Sequence, residues 1–140
     1  MLNKITILFL LIFISGCSSG VDIEKSEKIV DKYYKTLSEG STEEVLDMLP
    51  PEIFENQSRE ELAKYYRRVK YKLGKYKTRE LVWKQEKSGV GVSSSDRVYN
   101  NLVLVYDVYY SKNMSKETFV FIGKDNPKLI GHTIKSNEIF

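Results

Sequence analysis

Near Gly74 the chain changes its hydrophobic period, and this switch limits the fold more than any other feature of the sequence. Before it, apolar residues recur at helical spacing; after it, they alternate. Residues Ile23 to Glu39 carry Ile23, Val30, Tyr33, Tyr34 and Leu37 on one face, with Gly40 as a stop. Ser41 with Glu44, and Ser58 with Glu61, have capping-box spacing, in which a hydroxyl and a carboxylate satisfy the first unpaired N–H groups of a helix. The first box opens a short helix through Val45, Leu46, Met48 and Leu49, ended by Pro50-Pro51. The second opens a longer helix striped by Leu62, Tyr65, Tyr66, Val69 and Leu73, with Gly74 placed to terminate it.

The alternating half predicts strands at Tyr76 to Glu86, Val98 to Tyr110, Lys116 to Gly123 and Lys128 to Ile139. Ser88 to Ser95 is expected to be a flexible connection, and Ser111 to Ser115 and Lys124 to Pro127 turns. Three helices followed by four strands imply an α+β domain, the helices laid on one face of an antiparallel sheet. In the longest strand Leu102, Leu104, Tyr106, Val108 and Tyr110 share an uncharged face that should meet the helices. Val103, Val105, Asp107 and Tyr109 should point away. The 140 residues suffice for a single domain.

The amino terminus reads as an address. Lys4 precedes the apolar run Ile5 to Ile14, whose ten residues at about 1.5 Å each cover half a bilayer core, so it reads as a signal peptide rather than a span. Ile14-Ser15-Gly16-Cys17 then resembles the lipobox of bacterial lipoproteins: an aliphatic residue, two small residues, and a Cys directly after the apolar run. That resemblance implies cleavage between Gly16 and Cys17, a diacylglyceryl thioether on Cys17 and acylation, palmitate included, of the new terminus. Two or three acyl chains hold a protein firmly where one holds it marginally. The domain plan is then residues 1–16 as signal peptide, 17–22 as lipidated Cys and short polar tether, and 23–140 as the folded domain. Localisation is the bacterial cell envelope, and Ser18 after the Cys resembles the outer-membrane sorting pattern of two-membrane cells.

The helical segments KYYKTLSEGSTEEVLDML and SREELAKYYRRVKYKLGKYKTRELVW, the paired strands LVLVYDVYY and ETFVFI, and the closing IGHTIK resemble the nuclear transport factor 2-like superfamily. Small bacterial domains of unknown function in lipoproteins and periplasmic proteins are the most similar members. The resemblance implies a curved sheet of about four strands wrapped around the long helix as a cone, often with a cavity at the wide end. Because this superfamily hosts enzymes, binding modules and assembly domains, it does not assign a function.

Some members are isomerases or dehydratases that set an acid or base beside a phenol donor in an apolar cone. The residues able to do so here are His132, flanked on its own face by Ile130 and Ile134, with Tyr34, Tyr66, Tyr106 and Tyr110. The plainer reading is a core histidine among wall-packing tyrosines. Asp107 has the wrong parity, and no inward carboxylate lies on its strand, which departs from the isomerase pattern. The expectation is therefore a protein that is not an enzyme, without cofactor or metal: a binding or assembly module. The alternative is a carrier or enzyme that takes a small apolar molecule in the cone. One Cys and one His leave no Cys-based or multi-His metal site. Gly89 and Gly91 lack the third glycine of a dinucleotide loop.

Charge is lopsided. Residues 17–61 hold five Lys and Arg against twelve Asp and Glu, while residues 62–140 hold sixteen against seven. On the third helix Lys64, Arg67, Arg68 and Lys75 fall opposite the apolar stripe, a basic face for anionic phosphates or an acidic partner, or merely a solvated face. Expected partners are the membrane through the lipid anchor, and an envelope protein or a second copy through Val103, Val105 and Tyr109. Nucleic acid is excluded for an exported domain of such small net charge.

Overall fold

The computed structural model describes residues 20–90 and 98–137. The segment expected to be a signal peptide, with Gly16 and Cys17, lies outside the described residues. Three α-helices come first: α1 (Ile23–Glu39), α2 (Thr42–Asp47) and α3 (Arg59–Leu73), with a 3-10 turn at Pro51–Glu55 before α3. Four strands follow, β1 (Tyr76–Val90), β2 (Val98–Tyr110), β3 (Met114–Ile122) and β4 (Lys128–Lys135), in one open antiparallel sheet of order β1-β2-β3-β4. The domain is α+β, its helices packed on one face of the sheet.

Both capping boxes form, with Ser41 and Ser58 each accepting from the backbone N–H three residues on, and Glu44 and Glu61 reaching back. α1 starts on a different cap. The Asp22 carboxylate accepts from Lys25 N–H, and Asp22 N–H itself donates to the Lys124 carbonyl at 3.0 Å. With Val21 buried as well, the segment expected to be a free tether is docked onto the domain from Gly20 onward. Only two residues, Ser18 and Ser19, separate that docked point from Cys17.

Gly74 ends α3 at φ 85°, a left-handed value that favours glycine, and a Cβ there would lie 2.2 Å from Ser111 Oγ. Ser111 in turn bonds Lys75 through both its hydroxyl and its backbone N–H, so the helix-to-strand junction is clamped to the β2–β3 turn.

The strand parity expected for β2 holds: Leu102, Leu104, Tyr106, Val108 and Tyr110 are buried against the helices. Asp107 points outward and pairs with Lys116. Strand bounds differ from expectation where cross-strand pairing overrides composition. β1 runs on to Val90 because its backbone pairs with β2 as far as Val90↔Val98, while β3 reaches only Asn101. The part of the expected loop at Ser88–Val90 is thus strand, and 91–95 lies outside the described residues. β3 begins early, at Met114, and β4 stops at Lys135. A register shift between Val120 and Phe121 puts Leu129, instead of Ile130, on the inner face of β4.

Candidate functional site

Alternation on β3 carries one charged residue into the core. Ser115, Glu117, Phe119 and Phe121 share the buried parity, and Glu117 has no solvent exposure at all. A buried carboxylate is tolerated only if hydrogen bonds replace its lost hydration, and here four donors do so. Oε1 accepts from the hydroxyls of Tyr110 and Ser115, each at 2.7 Å. Oε2 accepts from the Tyr34 hydroxyl at 2.8 Å and from His132 Nε2 at 3.0 Å. Because an ionised carboxylate can only accept, the His132 proton on this side sits on Nε2. About four lone-pair directions are available to a carboxylate, and all are taken.

Burial alone would push the Glu117 carboxyl up; the hydrogen bonds and charge of His132, with those of Tyr110 and Ser115, outweigh it and hold Glu117 below the ordinary glutamate value. Burial, reinforced by the Glu117 charge, drives the Tyr34 and Tyr110 hydroxyls far above the ordinary phenol value, so both remain protonated donors.

The imidazole is fixed on every side. Nδ1 lies 3.2 Å from the Tyr66 hydroxyl. The ring stacks on Phe119 with centroids 4.3 Å apart and meets Tyr33 edge-on at 4.8 Å. Tyr33 is the odd member: among the described residues its buried hydroxyl has the Tyr66 hydroxyl beside it, short of full hydrogen-bond geometry. Burial raises the Tyr66 hydroxyl as well. At the network's far edge Tyr34 stacks on Tyr76 at 4.4 Å, and the Arg79 guanidinium lies 5.6 Å from the Tyr34 ring and 5.1 Å from that of Tyr106. Asp31 anchors that guanidinium at 2.8 Å.

Of the five residues expected around a cavity, four converge: His132, Tyr66, Tyr34 and Tyr110. Tyr106 does not join them. Its ring is core, but its hydroxyl turns to Glu27 at 3.3 Å, where burial pushes it up to about 12. The convergence point is Glu117, on β3, one strand away from β2, where no inward carboxylate lies.

The chain Glu117–His132–Tyr66 has the order of a proton relay: an acid orienting an imidazole that faces a hydroxyl. What it lacks is access. The His132 side chain is 1% exposed and Tyr66 4%. A depression of about 480 Å³ runs along β4 beside Leu62, Tyr65 and Tyr66. Residue 132 contributes backbone to its wall, since the residue as a whole is part-exposed while its ring is not. The interior between the helices and the sheet is occupied by Tyr33, Tyr34, Phe119 and the imidazole itself.

The four residues of the expected basic face are all exposed but differ in setting. Lys64 is paired with Glu60 one turn earlier at 2.9 Å, and Lys75 lies beyond the end of α3, after the Gly74 turn. Arg67 and Arg68 remain exposed and make no ion pair among the described residues. Among these residues no group of three or more His, Cys, Asp or Glu is placed to hold a metal ion, and no helix is long and apolar enough to cross a membrane. No protein-family model, curated protein or solved structure matches the chain.

Proposed function

We propose that the chain is a lipid-anchored bacterial envelope protein whose nuclear transport factor 2-like domain acts by surface contact and not by catalysis. The observation that carries the non-catalytic part is the closure of the Glu117–His132 network: every acceptor direction of the carboxylate is filled from within, and the imidazole has no opening to substrate. The family part is supported by three helices preceding four antiparallel strands, and the anchor by the Ile14-Ser15-Gly16-Cys17 motif. On the outer sheet face Val103 and Val105 are half-buried and Tyr109 is exposed, a surface suited to an envelope partner or a second copy.

Cell fractionation tests the anchor. The wild-type protein should stay with membranes through an alkaline wash and Cys17→Ser should not; identical behaviour would overturn the reading. Crosslinking in the native envelope tests the contact surface: Val105→Lys should abolish a product seen with wild type. The carrier or enzyme alternative has the β4 depression in its favour. It requires His132→Gln to abolish ligand uptake or turnover while the domain remains folded.

A further inference from the structure

Leu81, Val82 and Trp83 are three consecutive apolar residues exposed by 39%, 42% and 48%. They border a shift in the β1–β2 register between Leu81 and Trp83, which sets these two residues on opposite sides of the same exposed strand edge. Leu81 pairs with inward Tyr106, Trp83 pairs with outward Val105, and Val82 is left unpaired between them. An edge strand normally guards such a place with charge. Here the charges flank the apolar triplet instead: Lys77, Lys84 and Lys87 are exposed and make no ion pair among the described residues, beside the acidic Glu80 and Glu86.

The amino-terminal end of the domain reaches this same strand. Gly20 is pressed so closely on Glu86 that a Cβ would lie 2.1 Å from Oε2, and Asp22 N–H fixes the chain to Lys124 at that end of the sheet. Glu86 and Trp83 are three residues apart on β1, about 10 Å along a strand. From Gly20 back to Cys17 is also three residues, and fully extended they span about 10 Å. An acylated Cys17 therefore brings the lipid surface to within reach of the β1 edge, whatever path the intervening residues take.

We propose that the β1 edge at Leu81, Val82 and Trp83 docks on the phospholipid surface into which Cys17 is anchored, with Lys77, Lys84 and Lys87 meeting lipid phosphates. The inference rests on the lipid-anchor reading. Its chemistry matches an interface: an indole prefers the headgroup level, aliphatic neighbours enter the acyl boundary, and each lysine near an anionic surface adds about 1 kcal/mol. Docking would fix the orientation of the domain, turning a tether into a two-point attachment.

Trp83 is the only tryptophan, so its emission reports this site alone. The full lipidated protein would be reconstituted in phosphatidylethanolamine–phosphatidylglycerol vesicles with bromine near the headgroup end of the acyl chains. The expected result is loss of roughly half the Trp83 emission and protection from aqueous iodide, as for an interfacial indole. Lys77, Lys84 and Lys87 changed together to Gln should relieve much of the quenching. A protein that floats with the vesicles while Trp83 is unquenched by bromine overturns the docking and leaves the anchor standing. Iodide protection without bromine quenching also overturns it, by pointing to cover from a second copy. Failure to float overturns the anchor and the docking together.

Discussion

The carboxylate of Glu117 lies 3.0 Å from Nε2 of His132, and neither side chain reaches water. Breaking a buried pair by removing one partner is costlier than never having built it, because the survivor is left without its counterpart. Glu117→Gln keeps the volume and removes the charge. It should cost about 3–5 kcal/mol at neutral pH, measured by denaturant unfolding; wild-type stability in the variant would mean that the charge contributes nothing.

Acid sensitivity follows from the same pair. The folded protein holds the Glu117 carboxyl below its ordinary value of 4.5, so its contribution is complete above that pH and is lost as pH falls through the lower, folded value. Wild-type melting temperature should therefore decline below about pH 4.5, and Glu117→Gln should decline less steeply. Parallel pH profiles would show that the acid response comes from other carboxylates.

Tyr33 and Tyr34 are adjacent in sequence, both buried, and opposite in what their hydroxyls do. Tyr34→Phe deletes a donor to a buried charge and should destabilise by about 1.5–3 kcal/mol. Tyr33→Phe removes a hydroxyl that only neighbours the Tyr66 hydroxyl, short of full hydrogen-bond geometry among the described residues, and should cost less than Tyr34→Phe. Thermal melts of the two variants compare them directly; equal losses would show that Tyr33 is bonded in solution.

Gly74→Ala combines a positive φ with a collision at Ser111 Oγ. A loss of about 1–3 kcal/mol is expected, with a shift in the denaturant midpoint. An additional Ser111→Ala change should restore part of it by clearing the contact, though at the expense of the Lys75 hydrogen bond.

Local signals carried much of this architecture. Ser41/Glu44 and Ser58/Glu61 announce helix starts because capping is satisfied within four residues, and Gly74 announces a stop because its backbone demands it. The alternation in β2 reveals its buried face for the same reason. Glu117 is not legible from the sequence although it shares parity with Phe119 and Phe121, because a charge near a strand end reads as solvent-facing unless its donors are known. Those donors come from α1, β2, β3 and β4, up to 83 positions away, and no sequence window contains them. Register shifts at Val82 and near Phe121 are likewise settled between strands, so simple alternation puts Ile130 on the inner face where the sheet puts Leu129. The Asp22 cap on Lys25 N–H is local, whereas the bond from Asp22 N–H to the Lys124 carbonyl, which docks the segment expected to be a tether, is made with the β3–β4 turn.

The unequal strand lengths have a consequence for how the sheet comes apart. From Asn101 toward Tyr110, β2 has β3 on one side and β1 on the other; at Ser88↔Asn100, Gly89↔Tyr99 and Val90↔Val98 it has β1 alone. An unsupported pair of strands is marginal in water. Backbone amides in that overhang should trade hydrogen for deuterium well before those around Leu104, so the ladder frays from its projecting tip inward and stops where three strands run abreast.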